Sequence, residues 1–157
     1  MEKTKISVVH LEIVKEREIP WEEKQILGPG DAKELGYSVF KKFNKECMIA
    51  ACLNGRNEPV SFEVIALGGS SECQISIPEV FKTALLSNSR AIILYHNHPT
   101  GNPSPSIEDR KFTKRILRCG KFLGINIHDH IILGDEGNYY SFLEEEKELW
   151  KECTMEV

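Results

Sequence analysis

Ala91-Ile92-Ile93-Leu94-Tyr95 runs without a break into His96-Asn97-His98-Pro99-Thr100-Gly101-Asn102-Pro103-Ser104-Pro105-Ser106-Ile107-Glu108-Asp109. The opening run is apolar, of strand length, and reads as the most buried strand of the chain. If its geometry persists through the histidines, residues two apart share a face, so both imidazoles converge on one point. Asp109 then falls in the first turn of a helix that begins at Ser106. Two histidines, one carboxylate and an open fourth position form the ligand set of a catalytic zinc site, whereas a structural site tends to close with thiolates. Prolines 99, 103 and 105 stiffen the loop that holds the helix start beside the strand end. Each half of the pattern also has an ordinary reading. A lone H-x-H pair arises by chance, and Ser106-x-x-Asp109 is a common helix cap. Capping and ligation do not exclude each other, because the same first turn serves both.

Working outward, the helix carries Phe112, Ile116, Cys119 and Leu123 as an apolar stripe and is closed by Gly124. Asp129 to Leu133 reads as a strand, Asp135-Glu136-Gly137-Asn138 as a turn, and Tyr139 to Phe142 as a last short strand. The acidic tail from Glu144 is consistent with a surface helix. Towards the N-terminus, Pro78 sits in the first turn of a helix ending near Ser87, preceded by a short strand at Gln74 to Ile77. Cys47 to Leu53 and Val60 to Leu67 are two strands joined through Asn54-Gly55, a strong hairpin signal. Asp31 and Glu34 form a capping-box pattern for a helix from about Asp31 to Lys42, with Leu35, Val39 and Phe43 on one face. The β-branched run Ile6 to Val14 predicts an edge strand. Strands and helices mixed without a repeat predict an α/β fold of three layers, with helices on the faces of a mixed, mostly antiparallel sheet.

The stretch from His96 to Asp109 resembles the H-x-H-x₇-S-x-x-D signature of the JAMM (MPN/JAB) metalloproteases, in the form similar to the bacterial RadC-type branch. The resemblance extends from about Gly30 to Phe142 and includes Pro78-Glu79-Val80-Phe81 and Asp129-His130. It implies a JAMM/MPN-type three-layer domain with one Zn²⁺ per chain on His96, His98 and Asp109. It also implies Ser106 as oxyanion donor and Glu46 as general base. On sequence alone, Glu46 is an ordinary solvated charge at a strand start. The activity implied is metal-assisted hydrolysis of an amide by a metallopeptidase or isopeptidase acting on a protein or peptide. The alternative implied by RadC is a nucleic-acid-binding accessory of DNA repair or recombination. Full-length RadC proteins also carry an N-terminal helix-hairpin-helix region, and with only about thirty residues ahead of the matching part this chain is expected to lack it. A catalytically silent scaffold is disfavoured because every motif position is filled. His128-Asp129-His130 is a second H-x-H, predicted to put both imidazoles on one strand face. It lacks a carboxylate at ligand spacing, and its Asp129-His130 part suits a supporting role near the zinc.

Composition narrows the classes. The 157 residues, 41% hydrophobic and 28% charged, suffice for a single domain over 1–157 with its own core, without staples. No apolar run reaches the ~18 residues of a membrane span, and the N-terminus lacks a signal-peptide core. Five cysteines without a C-x-x-C pair predict reduced thiols and a cytoplasmic location. The net charge of −4 argues against a dedicated nucleic-acid binder. The helix from Arg110 to Lys121, with six bases and no acids, is the exception. Its basic side is either a solvated face or a contact for an anionic partner such as DNA.

Overall fold

A computed structural model of the chain describes residues 4–22, 25–40, 45–68 and 75–155. Its elements are α1 (Pro29–Phe40), β1 (Cys47–Leu53), β2 (Pro59–Leu67), α2 (Ile77–Leu86), β3 (Ala91–Asn97), α3 (Ile107–Leu123), β4 (Asn126–Leu133), β5 (Tyr139–Ser141), α4 (Phe142–Glu145) and α5 (Lys147–Met155). The five strands form one mixed sheet in the order β2-β1-β3-β4-β5. All pairings are antiparallel except β3 with β4, which run parallel and are joined by α3. The α/β expectation with a mostly antiparallel sheet holds.

Alternation along β3 divides the core. Ile92 and Leu94 face one apolar cluster, shared with Val80 and Phe81 of α2, Ile116 and Leu117 of α3, and Leu149 of α5. Ala91, Ile93 and Tyr95 face the other, shared with Leu35 and Val39 of α1. Both faces of β1 and β3 are therefore covered, which is why these strands read as unbroken apolar runs rather than as alternating ones. Gly36 lets α1 sit directly on the sheet. A Cβ there would lie 2.6 Å from the Tyr95 ring, and the Tyr95 hydroxyl donates to the Ala32 carbonyl at 2.8 Å.

Several expectations are corrected. Residues 6–14 form no strand: they pair with none of the five strands and are exposed. Helix α1 starts at Pro29, two residues before Asp31. The Asp31 carboxylate accepts from the Leu27 amide at 2.9 Å and so serves the helix entrance from inside the first turn. The expected end of that helix at Lys42 and Phe43 lies outside the described residues, as does Gln74. Ile75 and Ser76 are not in a strand, and Ile77 already belongs to α2. Phe142, expected to end the last strand, instead opens α4, where Ser141 caps by accepting from the Glu144 amide. Of the expected α3 stripe, Ile116 is buried and Phe112 and Cys119 pack against the core, whereas Leu123 is exposed and Thr113, Leu117 and Gly120 complete the buried face.

Candidate metal centre

The parallel β3–α3–β4 crossover brings the C-terminal end of β3 beside the N-terminus of α3. His96, on the α3 side of β3 with Ile92 and Leu94, is buried, and His98 follows just past the strand end. The loop between them and α3 folds tightly. Gly101 has φ +75°, a backbone conformation that residues with a Cβ rarely adopt, and its open face lies against the Asp135 carboxylate. Ser106 then caps α3 in a full capping box. Its hydroxyl accepts from the Asp109 amide at 3.1 Å and donates to Asp109 Oδ2 at 2.7 Å, while its own amide donates to that oxygen at 2.7 Å. At the far end Gly124 closes the helix with φ +69°.

His96, His98 and Asp109 come together. Their ligand atoms lie within 4.8 Å of one another, and they form the one such metal-competent group among the described residues. The two Nε2 atoms are 3.0 Å apart. Asp109 Oδ1 lies 3.3 Å from His96 Nε2, and Oδ2 lies 3.7 Å from His98 Nε2.

The surrounding hydrogen bonds fix the tautomers. The Thr113 hydroxyl donates its single proton to the Asp109 carbonyl at 2.7 Å, and must therefore accept from His130 Nδ1 at 2.7 Å. His130 Nε2 is then the acceptor for His96 Nδ1 at 2.9 Å. His98 Nδ1 donates to the Asn102 carbonyl at 2.8 Å. With both rings neutral, the Nε2 atoms present bare lone pairs to each other and to a carboxylate. Such a trio is mutually repulsive unless a cation stands between them, so the donor set fits a metal ion.

The electrostatics agree. Burial alone would raise the Asp109 carboxyl, but with a proton in place of a metal between the rings, hydrogen bonds from His96, His98 and Ser106 outweigh it and hold it well below the usual carboxylate range. The Asp109 carboxylate raises His98 against a smaller effect of burial. His130, fully buried and facing His96, is pushed far below its ordinary value and stays neutral. Its ring stacks on Phe142, with centroids 5.0 Å apart. Burial also pushes the Cys47 thiol up to about 11, so it stands beside the site protonated.

Glu46 lines the same cavity of about 900 Å³ as His96, Ser106 and Asp109, together with Met48, Pro78, Phe112 and Arg115. Its main chain is clamped from two sides. Asn97 accepts from the Cys47 amide at 2.8 Å and donates to the Lys45 carbonyl at 3.1 Å, and the Gly68 amide donates to the Glu46 carbonyl at 2.5 Å.

The second H-x-H does not put its rings on one face. The β3–β4 register slips between Ile92, opposite Ile127, and Ile93, opposite Asp129, leaving His128 as a bulge. His128 pairs with Asn57 at 2.8 Å, while His130 turns to His96 and Thr113. Asp129 accepts from the His130 amide, the Ser141 hydroxyl and the Leu143 amide, at 2.7, 2.6 and 3.0 Å. It thereby anchors the backbone that carries His130, and burial pushes its carboxyl up to about 7. Asn97 and Thr113 were not singled out from sequence. Asn97 sits inside the H-x-H pair, and a threonine on the apolar side of an amphipathic helix was the available signal for Thr113.

The basic side of α3 is partly answered within the chain. Arg110 pairs with Glu146 at 2.8 Å and Lys111 with Glu108 at 2.8 Å. A groove between α3 and the acidic α4–α5 segment gathers Lys114 with Glu145, Glu148 and Glu152. Lys114, Arg115 and Arg118 are exposed. No helix among the described residues is long and apolar enough to cross a membrane.

A mixed five-stranded sheet with an H-x-H and a capping aspartate at one crossover defines a JAB-type domain. The profile of the RadC-like JAB domain matches residues 26–149, and the chain belongs to that family. It is 39% identical over 123 residues to a UPF0758 protein of Methanosarcina barkeri, covering 78% of this chain and 53% of that protein. It is 42% identical over 120 residues to a UPF0758 protein of Alkaliphilus metalliredigens, covering 76% and 51%. With a UPF0758 protein of Clostridium acetobutylicum the identity is 38% over 125 residues, covering 80% and 54%. The chain spans about half the length of the curated relatives it matches.

Proposed function

We propose that the chain is a zinc-dependent hydrolase that cleaves an amide bond in a protein or peptide. One observation carries this reading. Two bare imidazole nitrogens and an ionised carboxylate converge at the wall of a cavity that also holds an acidic side chain, Glu46. His96, His98 and Asp109 would hold the metal. An N, N, O donor set with a protonated cysteine nearby suits zinc in a catalytic role. Bound there, zinc supplies Lewis acidity to the scissile carbonyl and acidifies a water towards a pKa of ~7.

The chain's own groups do the rest. Glu46 takes the proton of the attacking water and returns it to the leaving amine. Its clamp through Asn97 and Gly68 keeps the carboxylate on the cavity side of the strand start. Ser106 holds its hydroxyl proton on Asp109 Oδ2. Rotated towards the cavity, that hydroxyl donates to the developing oxyanion, a role worth roughly 3–4 kcal/mol in comparable sites. His130 and Thr113 keep the His96 lone pair aimed at the centre.

Glu46→Gln tests the reading. The variant should keep its fold and its metal while losing hydrolysis by roughly 10²–10⁴-fold. New protein N-termini are compared in cells producing wild type, Glu46→Gln or His98→Ala. Cleavages made by wild type alone identify the substrate. A Glu46→Gln chain that cleaves like wild type removes Glu46 from the reaction. Cleavage by His98→Ala removes the metal.

A further inference from the structure

The sheet has two edges, and they are unequal. β5 is three residues long and runs straight into α4. β2 is nine residues long and, among the described residues, pairs with β1 alone, so its outer backbone row has no strand partner there. Val60 and Val64 on that strand are 50% and 42% exposed. A long, apolar, uncovered edge is a template for another strand, and free proteins seldom leave one bare.

The same chain carries a segment of strand composition that pairs with nothing among the described residues. Residues 6–14 hold Ile6, Val8, Val9, Leu11, Ile13 and Val14, a composition that favours β structure. The segment has no assigned secondary structure, with Ile6 92% and Val8 fully exposed. Residues 4–22 make no backbone hydrogen bond among the described residues. Just behind the segment the chain is tied down, because Ile19 and Trp21 pack on the α1-side core. The arm thus leaves a fixed point and is exposed along its length. It also lies outside residues 26–149, so the family fold does not account for it.

We propose that residues 6–14 form an exchanged strand that pairs with the β2 edge of a second copy of this chain. Arm and edge are each nine residues, about 30 Å at ~3.4 Å per residue, so they match end to end. Two copies related by a two-fold axis satisfy both arms and both edges at once, a closed reciprocal arrangement that leaves no open template. Backbone ladders supply the pairing, as in other strand-addition interfaces. Val60 and Val64 of β2 gain apolar neighbours from the arm.

Sedimentation equilibrium on the full chain tests this. Wild type should have a mass of about twice 17.9 kDa. Val9→Pro/Leu11→Pro removes two arm donors and alters no contact of the core. It should give a monomer with an unchanged helical circular dichroism signal. Val60→Lys/Val64→Lys on the edge should also weaken the dimer. Mixing the arm variant with the edge variant should restore a heterodimer, because one intact arm then meets one intact edge. A wild type that is monomeric at every concentration overturns the proposal, leaving the arm for its own edge or another protein. A dimer that survives the proline pair overturns it as well. An edge variant that dimerises as tightly as wild type shows arms pairing elsewhere and overturns the assignment to β2.

Discussion

Replacing Thr113 by valine probes the chain of hydrogen bonds behind the metal centre. The change is nearly isosteric at a fully buried position, so it opens no cavity. It removes the bond to the Asp109 carbonyl and strands the His130 Nδ1 proton, where no water reaches. An unsatisfied buried donor costs about 1–3 kcal/mol. For a chain of this size that is a fall in Tm of roughly 2–12 °C. His130 can escape by carrying its proton on Nε2 instead. It would then donate to His96 Nδ1 and force the His96 proton onto Nε2, where a metal needs the lone pair. Either outcome weakens the centre, and losses at such supporting partners are typically 10–100-fold in metal affinity. Thr113→Ser keeps the hydroxyl and should restore affinity. The assay is competition for zinc against a chelator, beside thermal melts of the zinc-free protein. If Thr113→Val melts lower but binds zinc as tightly as Thr113→Ser, the hydroxyl only stabilises the fold and the relay argument fails.

Three further outcomes follow from the same geometry. The Asp109 carboxylate raises His98 above its ordinary 6.5, so below that raised value a proton competes with zinc for Nε2. Zinc affinity, followed by titration at several pH values, should climb with pH up to that raised value and flatten once His98 is neutral. In the zinc-free protein the pairing of His98 with Asp109 stabilises fully below that ordinary value and is lost as pH rises through the raised one. Ser106→Gly should cost a few tenths of a kcal/mol and Ser106→Ala about 1 kcal/mol. If the hydroxyl serves the oxyanion, both should lose activity by roughly 10²-fold, and activity that tracks stability would leave capping as its sole role. Asn97→Ala frees the strand start that carries Glu46 while sparing the ligands. Zinc content should hold and kcat should fall by up to ~10²-fold, the cost of a misplaced catalytic group; an unchanged kcat would show that Glu46 needs no clamp.

What could be read from the sequence follows from which signals are local. The β3 run, the Asn54-Gly55 hairpin, Ser106 as cap and Gly124 as terminator are each set by a few adjacent residues, and each stands where expected. The spacing from His96 to Asp109 brings the three side chains together, because strand alternation and a helix cap are local rules. The failures needed tertiary information. Residues 6–14 have strand composition, but a strand forms only beside a partner. The His128 bulge depends on the register against β3, and it reversed the expected pairing of the two imidazoles. Thr113 and His130 look unconnected in sequence and meet only after α3 is laid across β4.

The zinc absorption edge of the reconstituted wild type tests the central claim most directly, because its fine structure reads the ligand atoms themselves. One zinc per chain should show only nitrogen and oxygen neighbours at ~2.0–2.2 Å, with the outer-shell signature of two imidazoles. That signature should drop to one imidazole in any zinc retained by His98→Ala. A sulfur neighbour at ~2.3 Å would put a cysteine in the coordination sphere, and a protein that retains no zinc would mean that His96, His98 and Asp109 do not form the metal centre.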